Sequence, residues 1–507
     1  MLKRFSLALV TAVLAAQAAS PVLAAPAPKA TPTPNPLQYS GYIRAYYFTR
    51  QNATGYPQTF KAINQASFNT AISLHLQYTF ENSPVTIGGT YLYANPLNGC
   101  TTPVSHLSLP CGKQTFTGQS SVPTNPDDTL PGFVLSTLYE AYVQYKDPTL
   151  YIKVGDQVIN TPWANASDSR LKPVAFEGGD LTYKFNKVWT GEAAYMDRFE
   201  SRSSSAFDNA TMLTSHPVDG PGVAANIFTP GGSPITTSGF GYARLGFTGN
   251  VVANLHYYDF IDIANALWFD GKYTWAKSYS KPFIAVQAGS EQNTGRALIG
   301  KISSSVFGVQ VGVSPWKNVD MTVGYNYIPQ QSDTITLPAG VACGANNQIK
   351  ITVPGTTFPY FLPSGGTANC LTNSNGMTTV YYGGWASPYT DSYATDTLFT
   401  TSISQGLIDR RSPGSGVKFA LTLQSADHRA RLIASQAYFQ YGNSAAGTSP
   451  TQETDVDGTW FFHKPGSGPY HGLLIRHRYA ERDQKNTLLL GGTPVFKYNR
   501  TQLEFDF

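Results

Sequence analysis

The chain has 507 residues, 35 Lys and Arg against 31 Asp and Glu, and a formal net charge of +4. Only 13% of residues are charged and a further 13% are aromatic, whereas an ordinary soluble domain carries about 25% charge. The near-neutral balance excludes a nucleic-acid binder, which needs a basic face, and the 31 Tyr and 28 Phe suit broad surfaces against lipid and its interfaces.

In chain order, Met1-Leu2-Lys3-Arg4 is basic, Phe5 to Ala19 is apolar, and Val22-Leu23-Ala24 supplies small residues for a peptidase. This is the layout of a secretory signal peptide, expected to be removed after residue 24. Residues 25–37, APAPKATPTPNPL, form a Pro-rich linker with nothing to pack. No other stretch has 18 consecutive apolar residues, so no helix is expected to span a bilayer.

From about Gln38 to Phe507 the pattern has period two. In Phe68 to Phe80, FNTAISLHLQYTF, the residues Phe68, Thr70, Ile72, Leu74, Leu76, Tyr78 and Phe80 take one face. A tilted strand crosses a bilayer in about 9–11 residues, and this alternation is longer than most soluble strands. The pattern recurs with Tyr139, Ala141, Val143 and Tyr145 against Glu140, Tyr142 and Gln144, and with Leu150, Ile152 and Val154 against Tyr151 and Lys153. It returns with Leu181, Tyr183 and Phe185 against Lys184, then Val417, Phe419 and Leu421 against Lys418. Near the end, Ala437, Phe439 and Tyr441 oppose Gln436, Tyr438 and Gln440, and Leu473 and Ile475 oppose Arg476 and Arg478. Roughly 16 to 18 such segments alternate between short turns and long loops. The long loops are expected near 95–133, 200–238, 329–396 and 442–458. The final nine residues, NRTQLEFDF, continue the alternation and end on Phe507.

A soluble β-sandwich also alternates, but its exposed face is rich in charge. Here the polar faces are mostly Gln, Asn, Ser, Thr, Gly and Tyr. The expected fold is therefore all-β: a closed antiparallel transmembrane β-barrel of about 18 strands over residues 38–507. Short turns would face the periplasm, long loops the outside, with one or more loops folded into the lumen. Closure against the first strand explains a chain that ends in mid-sheet, with Thr501, Leu503, Phe505 and Phe507 facing lipid.

Charges within strands fall mostly on the polar phase: Arg44, Lys153, Lys184, Arg244, Lys418, Arg476, Arg478 and Arg482. A Lys or Arg facing lipid near the midplane costs about 2–4 kcal/mol, so these should face inward. Arg476, Arg478 and Arg482 share a strand face at about 7 Å per alternate residue. With Arg44 they would form a basic ladder that passes a carboxylate from site to site. The plainer alternative is that such arginines and lysines pair with Glu140, Glu192 or Glu504 and fill space. His477 falls on the outward phase beside Ile475 and Tyr479.

Thr161 to Gly179, TPWANASDSRLKPVAFEGG, breaks the alternation and carries Asp168, Arg170, Lys172 and Glu177. A loop of this length with mixed charge suits a lumen constriction, where opposed acid and base set up a transverse field. Asp455-Val456-Asp457-Gly458 opens like a calcium loop but lacks the downstream Glu. These carboxylates, like Asp127-Asp128, are expected in solvated loops, and no metal or cofactor is expected. Cys100, Cys111, Cys343 and Cys370 make an even set in an exported chain. We expect local pairs, 100 with 111 and 343 with 370, among three possible connectivities.

The run LYEAYVQYKDPTLYIKVGDQVINTPWANASDSRLKPVAFEGG resembles the OprD-like family of substrate-specific bacterial outer-membrane porins. The matching elements are Gly155, Gln157, Thr161, Pro162, Asp168, Arg170, Pro173, Phe176, Glu177 and Gly178. RAYYFTR (Arg44 to Arg50) and GLLIRHRYA (Gly472 to Ala480) are similar to the family's first and arginine-bearing late strands. The middle of the chain is not matched in detail. The resemblance implies an 18-stranded barrel in the bacterial outer membrane and passive uptake of small carboxylate or amino-acid solutes. It implies Asp168, Arg170 and Glu177 in the constriction and Arg44, Arg476 and Arg478 in the ladder. Phe507 resembles the sorting signal read by the barrel-assembly machinery. Lipid and lipopolysaccharide are the expected surroundings.

A non-selective porin is the alternative. An enzyme is not expected, because the eight His are scattered and no nucleophile-elbow motif appears. A gated transporter needs an N-terminal plug domain, for which the Pro-rich stretch is too short.

Overall fold

The barrel wall consists of β1 (Leu37–Thr54), β2 (Ala62–Thr79), β3 (Val85–Pro96), β4 (Leu135–Lys146), β5 (Leu150–Gln157), β6 (Ala175–Lys184), β7 (Trp189–Glu200), β8 (Phe240–Thr248) and β9 (Val251–Phe260). It continues through β10 (Ala264–Thr274), β11 (Phe283–Asn293), β12 (Ser303–Trp316), β13 (Val319–Ile328), β14 (Gly414–Gln424), β15 (Ala430–Asn443), β16 (Gly447–Phe461), β17 (Gly472–Gln484) and β18 (Phe496–Asp506). This computed structural model describes residues 35–54, 62–97, 115–116, 134–167, 170–202, 204–209, 211, 236–298, 302–336, 350–351, 360–361, 370–372, 377–390, 395–408, 413–443, 447–464, 472–484 and 495–507. For 52–54, 62–67, 96, 115–116, 333–382, 442–443, 447–449 and 484 the description is of the backbone.

Every wall strand pairs antiparallel with its neighbour in sequence, and β18 returns to β1, with Tyr42 opposite Asp506 and Gln51 opposite Lys497. The result is a closed 18-stranded antiparallel barrel. Closure leaves no free edge, which is what hydrocarbon demands of a sheet. Phe507 extends the seam, exchanging backbone hydrogen bonds with Gly41 at 2.9 and 3.0 Å.

The pleat sorts the side chains as the alternation predicts. Ile72, Leu74 and Leu76 of β2 are exposed on the outer surface, while Asn69, Ala71 and Ser73 are buried within. Val154 is 56% exposed outside and Lys153 is buried inside. Leu503 faces out between the buried Gln502 and Glu504. His477 also faces out, 3.0 Å from the Thr501 hydroxyl.

Three local expectations change. Tyr139 does not share a face with Val143. A bulge between the Thr90–Glu140 and Tyr91–Leu138 pairs turns Tyr139 inward, where it is buried. An extra residue reverses the phase of everything before it. The apolar face of β15 is likewise inward: Ala437, Phe439 and Tyr441 are buried and Tyr438 is exposed. The reason is a loop that packs against them from within the lumen. Last, 442–458 is no long loop. β15 and β16 continue through it and pair as far as Asn443–Gly447.

Short turns join β2–β3, β4–β5, β6–β7, β8–β9, β12–β13 and β14–β15 at the periplasmic rim. On the other side, the β3–β4, β5–β6, β7–β8 and β13–β14 connections are long. The β13–β14 connection contains small antiparallel pairings of its own: Met377–Tyr382 lies between Gln331–Thr336 and Cys370–Thr372 and pairs with both. Cys100, Cys111 and Cys343, and Asp127-Asp128, lie outside the described residues, as does the side chain of Cys370.

Candidate functional site

Two connections fold into the lumen. In the β5–β6 loop, Trp163, Ala164, Arg170, Leu171, Lys172 and Val174 are buried. In the β13–β14 loop, Trp385, Ala386, Tyr389, Leu407 and Ile408 are buried. They meet on one wall. The Trp163 ring lies 5.0 Å from Trp268 of β10 and 5.1 Å from Trp385. Tyr389 packs on Phe176, Phe199 and Phe240. Aromatic stacking of this kind fixes the loops to β6–β10. Polar ties complete the attachment: Asn165 Nδ2 donates to the Thr395 carbonyl at 2.9 Å, and the Ala386 amide donates to Glu291 at 2.8 Å. One aromatic core therefore lines β6–β13 and reaches Phe439 and Tyr441 of β15, and a second, with Tyr46, Phe48, Phe496 and Tyr498, lies at the seam.

The β5–β6 loop reaches across to β1. Arg44 donates to the Arg170 carbonyl, and the Tyr42 hydroxyl donates to the Leu171 carbonyl at 2.5 Å. Lys172 makes a fully buried ion pair with Glu200 at 2.9 Å, and the Thr137 hydroxyl donates to the same carboxylate. Arg170 is thus held over Phe48, 5.9 Å from its ring centroid.

Around the seam, arginines crowd the inner face. Arg476 and Arg478 both donate to one carboxylate, Asp457. Arg478 stands directly opposite Arg500 of β18, and Arg500 lies over the Tyr46 ring at 4.6 Å. Arg482 donates to the Ser404 carbonyl at 2.8 Å and lies over Phe496 at 4.4 Å. Arg44 pairs with Glu504 and lies over Tyr42 at 4.4 Å. Glu453 accepts from the Ser404 amide at 2.7 Å, and Asp455 from the Ser435 hydroxyl at 3.1 Å. Among the described residues of this arc, Arg44, Arg50, Arg170, Arg476, Arg478, Arg482 and Arg500 outnumber Glu453, Asp455, Asp457 and Glu504. Tyr42, Tyr46, Phe48 and Tyr498 lie between them and give the guanidiniums flat faces to stack on.

The residues singled out from sequence separate into groups. Arg44, Arg170, Arg476, Arg478 and Arg482 come together along the seam. Lys153 and Arg244 do not: Lys153 pairs with Glu140 at 3.3 Å and Arg244 with Glu192 on other parts of the wall. Lys418 donates to the Thr401 carbonyl of the lumenal loop. Glu177 follows the inward Phe176 by one residue, so the pleat turns it to the other face. There it pairs with Arg198 at 2.5 Å, apart from Arg170. Asp168 lies outside the described residues. The Asp455–Asp457 run, expected in a solvated loop, lies on β16 with both carboxylates buried inward. Arg500 and the Lys172–Glu200 pair escaped the sequence reading. Arg500 was in plain phase with Gln502 and Glu504 in the last strand. Nothing local links Lys172 to Glu200.

The BenF-like porin from Pseudomonas fluorescens Pf-5 superposes with a TM-score of 0.63 at 13% identity, covering 93% of this chain and 98% of that one. OccAB4 from Acinetobacter baumannii gives 0.60 at 13%, covering 94% and 100%. OccK3 (OpdO) from Pseudomonas aeruginosa gives 0.58 at 14%, covering 93% and 95%. The chain has the fold of the OprD-like porins. It is an integral β-barrel of the outer-membrane type. No family model and no curated protein sequence matches it.

Proposed function

We propose that the chain is an outer-membrane porin of the OprD-like family, exported by a signal peptide over residues 1–24 and inserted through a signal that includes Phe507. It lets small hydrophilic solutes diffuse passively and favours those bearing a carboxylate. The observation that carries this reading is the excess of arginine over acid among the described residues on the seam side of the lumen, with Asp457 shared between Arg476 and Arg478. A carboxylate entering this arc gains bidentate partners, and the repeated spacing lets each contact be exchanged for the next. Asp168, two residues from Arg170, is proposed as the acidic side of the narrowest point.

Liposome swelling with a panel of small carboxylates, amino acids and sugars tests it. We expect acids to enter faster than sugars of equal size, and Arg476→Ala/Arg478→Ala to remove most of that preference. Equal rates for acids and sugars in the unaltered protein would leave the non-selective porin as the better description.

A further inference from the structure

The periplasmic rim is chemically lopsided. Across β6–β13 the short turns carry Lys187, Lys277, Lys281 and Lys317, all exposed. None of these four forms an ion pair with another described residue. The turn residues 185–188, 249–250, 275–282 and 317–318 contain no Asp or Glu. Each of these lysines lies within two residues of a large exposed aromatic: Trp189, Trp275, Tyr279 at 85% exposure and Trp316 at 61%. The other half of the rim is mixed, with Glu81, Asp147, Asp427 and Asp506 among Lys146, Arg429 and Lys464.

We infer that this arc is a binding surface for anionic phospholipid headgroups of the periplasmic leaflet. An outward Trp or Tyr at a strand end settles at the headgroup level. A lysine one or two residues away is held at the same depth, its stem along the acyl boundary and its ammonium at the phosphates. Four such cations, none of them ion-paired with a described residue and with the nearby Asp320 carboxylate bonded to the Ser314 hydroxyl at 2.5 Å, select a headgroup with net negative charge over a zwitterionic one. Lipid is preferred to the cell-wall polymer as occupant because every one of these lysines is within two residues of an exposed aromatic, the pairing suited to the headgroup level.

The test uses the full barrel reconstituted in vesicles of phosphatidylcholine with one fifth phosphatidylglycerol, followed by native mass spectrometry of the lipids it retains. The unaltered protein should retain phosphatidylglycerol several-fold above its share of the bilayer. Lys187→Gln/Lys277→Gln/Lys281→Gln/Lys317→Gln should fall to that share, and the matching Lys→Arg variant should keep the enrichment. Arg429→Gln/Lys464→Gln, on the mixed half, should behave as the unaltered protein. The inference is overturned if lipids are retained in bulk proportion, or if both halves contribute equally. It is also overturned if the four lysines promote sedimentation with purified peptidoglycan, or self-association in the same spectra, without lipid enrichment.

Discussion

At the scale of single residues, the lumen runs on shared carboxylates. Asp457 holds Arg476 and Arg478 together, so its removal leaves both guanidiniums without the carboxylate they share, with Arg478 standing opposite Arg500. We expect Asp457→Asn to preserve the fold and to make the pore more anion-selective. The reversal potential in a salt gradient across a planar bilayer should move toward the chloride value. Glu504 is different, since its partner Arg44 is buried and also carries the Arg170 carbonyl. Breaking a buried pair from one side costs about 3–5 kcal/mol. Glu504→Gln should therefore lower the denaturation midpoint, and the loop at Arg170 should become easier to cleave with protease.

At the scale of elements, loops are bound to the wall by a few dense contacts. Trp385 packs against both Trp163 and Trp268, the three rings touching one another. Trp385→Ala opens a cavity that the rigid strands cannot fill, at about 3–5 kcal/mol. It should raise both the mean conductance and its noise in single-channel records, because both lumenal loops lose one anchor. The turns behave otherwise. Amides of Thr149 and Leu150 donate to Asp147 Oδ1 at 2.7 Å each, and the Leu150 bond, followed by that of Thr149, holds the Asp147 carboxyl below its ordinary value. A lowered folded-state pKa adds stability above the unfolded value and loses it as pH falls through the folded one. Protection of the 149 and 150 amides, measured as exchange relative to free peptide at the same pH, should be high at neutral pH and fall only below the usual carboxylate range. Asp147→Ala should remove that protection at neutral pH and change little once the carboxyl is protonated. The strands themselves were legible in the sequence because lipid imposes a strict period of two. Legibility failed where another partner replaced lipid or water, at Phe439 under a lumenal loop and at Tyr139 where a bulge shifts the phase. The site was half legible: Arg476 and Arg478 declared themselves by phase, but Lys172 and Glu200 meet only because the loop folds back into the barrel.

At the scale of the whole molecule, the barrel depends on one seam. β1 joins β18 to β2, and a failure there opens the ring and exposes two sheet edges to hydrocarbon. Gly41 sits at the end of this seam, bonded to Phe507 through both backbone groups. A Cβ added there would lie 2.1 Å from the Ser73 carbonyl oxygen and 2.9 Å from the Phe507 ring. The ring can swing away, but the carbonyl belongs to the β1–β2 ladder, where Gly41 faces Leu74 and Tyr42 faces Ser73. Relief of the clash must move one strand from the other. Gly41→Val should thus slow closure more than it disturbs any strand. Refolding into vesicles, followed by the mobility difference between heated and unheated samples on a gel, should show the slow step. Val251→Ala, on the outer face of β9 away from the seam, should refold at the normal rate. Equal rates for the two variants would mean that closure is not limited at β1. The polar lumen and apolar exterior would then assemble strand by strand, with no single joint controlling the ring.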